Sequence, residues 1–180
     1  MLKADVFINM TQMKLFLFPL FTIFSFSVKS QIPKFSIPVS EDSVITNTNL
    51  KYNNVVFILL KKNCPYTQIY NDRIKNLIQS YQKILFINLG DQQFPSSKNL
   101  IQYHDNRKHV QYALKAKKNP SVYFYHKSYG EFQLNYWGAI DDNPQLAEDV
   151  RHDYLKEAIE STLTGKSYYF KESRAVGCNY

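Results

Sequence analysis

Six consecutive apolar residues, Val55–Leu60 (VVFILL), constrain this chain more than any other feature. Successive side chains of a strand point to opposite faces, so an unbroken apolar run rich in β-branched residues needs cover on both sides. Such a strand belongs in the middle of a sheet sandwiched between other layers. The run ends in Lys61-Lys62, then Asn63-Cys64-Pro65. Pro65 suits the first turn of a helix, where its missing N–H costs nothing. Ile69, Ile74, Leu77 and Ile78 then recur at helical spacing to about Tyr81.

The remaining segments extend this alternation. Ile84–Asn88 reads as a second apolar strand closed by Gly90-Asp91, and Leu100–His104 as a short strand. Asn106–Lys115 reads as a helix and Asn119-Pro120 breaks the pattern. Ser121–His126 and Glu131–Trp137 alternate on either side of Tyr129-Gly130, which predicts a hairpin. Asp153–Leu163 is a final helix stopped by Gly165. Residues 31–50, polar and carrying Pro33 and Pro38, read as an extended arm or edge segment. Buried strands alternating with helices imply parallel pairing, and the hairpin adds antiparallel strands. The expected class is α/β, a mixed central sheet flanked by helices.

The 180 residues fit one domain with a real core. The formal net charge of +7 is scattered, with no basic run interleaved with aromatics, so nucleic acid is not an expected partner. Near the N-terminus, Met13-Lys14 is followed by LFLFPLFTIFSFSV and then Lys29-Ser30-Gln31. A positive start, an apolar core and small residues before a cut describe a secretory signal, with cleavage expected at Ser30/Gln31. The domain plan is therefore a signal peptide over 1–30 (translation starting at Met1 or Met13), an arm over 31–50 and one domain over 51–180. The apolar stretch is short for a spanning helix. A secreted or periplasmic protein without stable membrane insertion is expected; an uncleaved membrane anchor is the alternative.

Export would bring both cysteines, Cys64 and Cys178, into an oxidising compartment where one intramolecular disulfide can form. Their spacing fits no zinc site, and no metal or cofactor is expected. Cys64 precedes a helix, where unpaired N–H groups and the helix dipole stabilise a thiolate, the nucleophilic form. Lys61 and Lys62 add positive charge, Pro65 stiffens the first turn and Tyr66 shields one side. Thr67, nearly one turn on, can direct its hydroxyl toward the sulfur but cannot close a disulfide. A buried, inert cysteine packed at a strand end accounts for the placement equally well.

Three stretches carry a resemblance. FILLKKNCPYTQIYNDRI resembles the segment around the single cysteine of peroxiredoxin-like redoxins, within the alkyl hydroperoxide reductase/thiol-specific antioxidant and thioredoxin group: an apolar strand, Cys64-Pro65-Tyr66, then a helix with Tyr70, Asp72, Arg73 and Ile74. LIQYHDNRKHVQYALKAKKNPSVYFYHKSYGEFQLNYWGAIDD resembles their strand, helix, Thr-Pro loop, hairpin and Gly-Arg-Ile-Asp-Asp run, matched by Gly138, Ile140, Asp141 and Asp142. DYLKEAIESTLTGKSYYFKESRAVGCNY resembles their last helix and terminal Gly-Cys-Asn. The likeness covers nearly all of 50–180 and implies a thioredoxin-like fold.

It also implies roles. Cys64 would attack a disulfide or a peroxide as the catalytic thiol, in thiol–disulfide exchange or antioxidant peroxide reduction. Pro120 would be cis and lie against Cys64, with Asn119, Pro65 and Tyr66 lining the substrate site. Partners would be protein thiols and disulfides or small peroxides, with an external thiol reductant. Cys178 is either the resolving thiol for Cys64, a permanent staple, or free. Several positions depart from the family. Asn119 stands for the usual Thr, and Thr67 for thioredoxin's second motif cysteine. Lys61 stands where peroxiredoxins place Thr or Ser, which favours disulfide exchange over peroxide reduction. The loop 90–99 replaces a helix of the longer family form. The competing class is a non-catalytic binding or structural protein on the same fold, held by one disulfide.

Overall fold

A computed structural model describes residues 31–40 and 43–179. The expected signal segment over 1–30 lies outside the described residues. In chain order the elements are β1 (Ser36–Ser40), β2 (Ser43–Thr46), β3 (Asn54–Leu59), α1 (Pro65–Ser80), β4 (Leu85–Asn88), β5 (Leu100–Gln102), α2 (His109–Ala113), β6 (Lys118–Asn119), β7 (Ser121–Ser128), β8 (Glu131–Gly138), α3 (Tyr154–Leu163) and β9 (Cys178–Asn179). The central sheet has the order β5-β4-β3-β7-β8. Strands β3, β4 and β5 are parallel neighbours, and β7 and β8 add antiparallel pairs. This is the mixed sheet expected from the sequence.

Strand β3 is buried along its whole length, and its alternation divides the core. Val56 and Ile58 join Phe86, Val122 and Phe124 on one face, beneath Tyr70, Ile74, Leu77 and Ile78 of α1 and Leu155, Ala158 and Ile159 of α3. Val55, Phe57 and Leu59 join Leu85, Ile87, Tyr123 and Tyr125 on the other, with Val110 and Leu114 from the α2 region. Burying a large aliphatic or aromatic side chain is worth roughly 1.5–3 kcal/mol, so the two clusters dominate the fold. Among the described residues, no helix is long and apolar enough to cross a membrane.

The arm of residues 31–50 is more structured than expected. Strands β1 and β2 form an antiparallel hairpin. Phe35 and Ile37 alternate inward between exposed Lys34, Ser36 and Pro38, and Phe35 meets Phe57 edge-on at 5.5 Å. Leu50 joins the same buried cluster, with Ile32 and Ile45 packed against it, so the segment read as an extended arm or edge segment carries an inward face of its own. Helix α2 is shorter than the expected 106–115. Lys108 and Lys115, with φ of 55° and 54°, lie in the left-handed region and bracket it. Its start is set by the buried Asp105 carboxylate, which accepts from the N–H groups of His109, Val110 and Gln111 at 3.1, 2.9 and 3.1 Å.

Two predictions follow from this packing. Asp105→Ala strands those three N–H groups and is expected to lower stability by about 2 kcal/mol in urea unfolding, with Asp105→Asn closer to wild type. His126 on β7 meets Asn54 Oδ1 through its Nδ1 at 2.8 Å, and burial lowers its pKa. The unfolded chain therefore binds that proton more readily than the folded one. The stabilising contribution of neutral His126 is fully present above the ordinary value of about 6.5 and is lost as pH falls through the lowered folded value. Unfolding measured from pH 8 to pH 5 should show this loss, and His126→Asn should flatten that part of the curve.

Candidate redox site

The site forms where β3 ends. Cys64 is the N-cap of α1, with extended backbone (φ −93°, ψ 123°), and Pro65 opens the helix. A tight turn delivers it there: the Cys64 N–H donates to the Lys61 carbonyl at 3.1 Å, and the Thr67 N–H donates to the Cys64 carbonyl at 2.9 Å. Facing this turn is β6, and the Asn119-Pro120 peptide that leaves it is cis. The Asn119 side chain joins the two loops. Its Oδ1 accepts from the Lys61 N–H at 2.8 Å and, more weakly, from the Thr67 hydroxyl at 3.4 Å. Asn119 is fully buried, and among the described residues its Nδ2 meets no hydrogen-bond partner.

The two cysteines meet. Cys64 and Cys178 form a disulfide (S–S 2.09 Å, Cα–Cα 6.1 Å) across 114 positions of sequence. Cys64 is only 2% exposed, whereas Cys178 is half-buried. The Asn119 carbonyl oxygen lies 3.3 Å from Cys64 Sγ. With the sulfur bridged this is a non-bonded contact, since no S–H is present. Cys178 arrives on β9, which pairs antiparallel with β6 in the register Lys118↔Asn179 and Asn119↔Cys178.

The segment after α3 is tied down just before it reaches the site. The Ser173 N–H donates to the Trp137 carbonyl at 3.1 Å, and the Trp137 N–H donates to the Lys171 carbonyl at 3.2 Å. Ser173 Oγ also accepts from the Ala139 N–H at 2.9 Å and pairs with the Tyr136 hydroxyl at 2.5 Å. This crossing needs Gly138: a Cβ there would fall 2.2 Å from the Ser173 carbonyl oxygen, and its φ of 136° suits glycine.

The other residues singled out from the sequence divide into two groups. Thr67 is buried and supports the loop through Asn119 Oδ1. Pro65 is exposed and Tyr66 half-buried beside Cys64. Arg73 turns away to a buried structural pair, donating to Asp141 Oδ2 at 2.6 Å, while the Tyr70 hydroxyl donates to Asp141 Oδ1 at 2.7 Å. Burial and that carboxylate push the Tyr70 pKa up, so it stays a neutral donor. Among the described residues, no group of three or more His, Cys, Asp or Glu is placed to hold a metal ion. Sequence reasoning gave no role to Lys118 or Gly177. Lys118 Nζ donates to Asn179 Oδ1 at 2.8 Å and to the Gly177 carbonyl at 3.4 Å. Gly177 packs its bare backbone on Asn119. The one signal available was Gly177 inside the Gly-Cys-Asn match.

Solved structures share this fold. A hypothetical protein from Sinorhizobium meliloti is 18% identical, with a TM-score of 0.64 over 86% of this chain and 94% of that one. An uncharacterized conserved protein from Geobacillus kaustophilus is 20% identical, with a TM-score of 0.66 over 84% and 89%. A structure described as a putative thiol:disulfide interchange protein DsbE from Chlorobium tepidum is 10% identical, with a TM-score of 0.51 over 76% and 95%. The fold is thioredoxin-like. No protein-family profile and no curated protein sequence matches this chain. At these identities the likeness is one of fold.

Cross-linking positions 114 residues apart should stabilise by about 5 kcal/mol through the entropy of the unfolded chain. Cys178→Ser is therefore expected to unfold at lower urea than the oxidised protein. Adding a thiol reductant should bring the wild type down to the same midpoint, which separates the bridge from the packing of the Cys178 side chain.

Proposed function

We propose that this chain is an exported thiol redox protein in which Cys64 and Cys178 alternate between dithiol and disulfide. The observation that carries this reading is the partnership itself. The cysteine at the N-cap of α1, beside the cis-Pro120 loop, is bridged to a cysteine on a two-residue strand rather than to one in the core. Helix N-termini stabilise thiolates, and disulfide exchange needs little more than an accessible thiolate and a second thiol.

In the exchange reaction, the Cys64 thiolate attacks one sulfur of a substrate disulfide. A Cys64–substrate disulfide forms, and the other substrate sulfur leaves with the electron pair. The Cys178 thiolate then attacks Cys64 Sγ, closing the internal disulfide and releasing the second substrate thiol. An external thiol reductant restores the dithiol. The same pair serves peroxide reduction: the Cys64 thiolate takes the terminal peroxide oxygen, an alcohol or water leaves, and Cys178 condenses with the sulfenic acid to give the disulfide and water. Disulfide exchange is the principal reading because Lys61 occupies the position where peroxiredoxins carry Thr or Ser. The specific observation favouring a non-catalytic protein with a permanent bridge is the near-complete burial of Cys64.

The test is the intact mass of reduced protein, first treated briefly with a small disulfide or with peroxide, then alkylated. The redox reading expects a monomer lighter by two hydrogen atoms and without alkyl label, and Cys64→Ser should block its formation. Alkylation of both cysteines after both oxidants would sink the reading. Closure by the disulfide alone would discard peroxide reduction. A bridge that resists reduction in glutathione buffers while the chain stays folded would establish the permanent staple.

A further inference from the structure

The pairing of β9 with β6 describes more than a cross-link. Cys178 reaches Cys64 as part of an extended segment running antiparallel to Lys118-Asn119, with its sulfur bonded to Cys64. A disulfide substrate halfway through exchange has this same covalent form. Resting on the redox reading above, we propose that the segment Gly177-Cys178-Asn179 occupies the substrate position, and that the site takes extended protein segments in which a glycine directly precedes the disulfide-bonded cysteine.

The glycine requirement comes from space. A Cβ on Gly177 would lie 2.1 Å from the Asn119 carbonyl oxygen, 2.7 Å from its carbonyl carbon and 3.0 Å from Pro120 Cδ. Real side chains do not approach backbone this closely, and the obstructing atoms are backbone of a buried residue next to a proline ring. Gly177 is not in the left-handed region, so its backbone conformation is open to other residues and only the contact excludes them. The same Asn119 carbonyl touches Cys64 Sγ at 3.3 Å. The wall that selects glycine is therefore the wall that positions the reactive sulfur, and it cannot retreat without disturbing the thiol.

The residue after the cysteine is read more loosely. Lys118 Nζ donates to the Asn179 side-chain oxygen and to the Gly177 carbonyl. The carbonyl contact is sequence-independent; the side-chain contact favours an acceptor such as Asn or Asp. Lys118 is long and Asn179 exposed, so this preference is secondary to the glycine.

The experiment uses the full chain carrying Cys178→Ser, which leaves Cys64 as its single thiol. Two peptides, Val-Gly-Cys-Asn and Val-Ala-Cys-Asn, are each prepared as the mixed disulfide with thionitrobenzoate. The Cys64 thiolate attacks the peptide sulfur, a Cys64–peptide disulfide forms, and thionitrobenzoate leaves with the electron pair as a coloured thiolate. The symmetric dithiobis-nitrobenzoate measures the intrinsic reactivity of Cys64. We expect the glycine peptide to react at least tenfold faster than the alanine peptide. Equal peptide rates, with the symmetric reagent reacting normally, would overturn the substrate assignment and leave the redox reading intact. No reaction with any of the three reagents would remove both. A second variant guards against competition from the tethered segment. In the chain with both cysteines, Gly177→Ala is expected to shift the internal equilibrium toward dithiol at least tenfold in a glutathione redox buffer. An unchanged equilibrium would equally overturn the proposal.

Discussion

Burial of β3 on both faces is the constraint on which the rest of the structure depends. An apolar strand covered on one side would leave three or so large side chains in water, at roughly 1.5–3 kcal/mol each. Both layers are thus required. The parallel neighbour β4 demands a crossover, supplied by α1 on one face, and the β1–β2 hairpin and α2 complete the other. Where β3 emerges from this sandwich its backbone loses its sheet neighbours, and that is where the Cys64–Cys178 disulfide sits. The antiparallel register fixes what meets there. Leu59 pairs with Ser121. Two positions further along each strand brings Lys61 opposite Asn119, and the Lys61 N–H indeed finds Asn119 Oδ1 at 2.8 Å. Thus the cis-Pro120 loop comes to Cys64 because two central strands are in register, not because either loop seeks the other.

Asn119 converts that proximity into a defined site. One carboxamide oxygen holds the exit of β3 and the first turn of α1, while the carbonyl of the same residue touches the sulfur. The cost is visible in its Nδ2, a buried donor without a partner among the described residues, where about 1–3 kcal/mol of desolvation goes uncompensated. The asparagine side chain spans from β6 to the backbone of Lys61.

The parts of this arrangement legible in sequence are those governed by local periodicity. VVFILL announced a doubly covered strand, Pro65 a helix start, and the alternation around Tyr129-Gly130 a hairpin; each was observed, because burial pattern and backbone preference agree there. What was not legible depends on distant partners or on single backbone angles. The β1–β2 hairpin hides behind Pro33 and Pro38, and its inward face is carried by the spaced residues Phe35, Ile37 and Ile45. Helix α2 contracts because two lysines adopt positive φ, a conformation their residue type does not signal. At the site, placement before a helix singled out Cys64 and resemblance added Asn119 and Pro120, which lie beside it in the structure, while Cys178 was left between a redox partner, a staple and a free thiol. The β6–β9 pair is two residues long on each side, too short for any pattern to predict.

The shortness of that pair bears directly on how the cysteines are used. Hydrogen bonds contribute about 1 kcal/mol each in net terms, so a two-residue ladder holds β9 only weakly once the disulfide is gone. The firm anchor lies earlier, at Ser173, which is bonded to the backbone on both sides of Gly138 and to Tyr136. Between Ser173 and Cys178 the chain can extend about 17 Å at most. Reduction thus frees a short tether, long enough to uncover β6 and too short to let Cys178 wander. A thiol on such a tether returns at an effective concentration of order millimolar. That is the arrangement the proposed resolving role of Cys178 requires: clear of β6 while a substrate is bound there, and close enough to return when the substrate must leave.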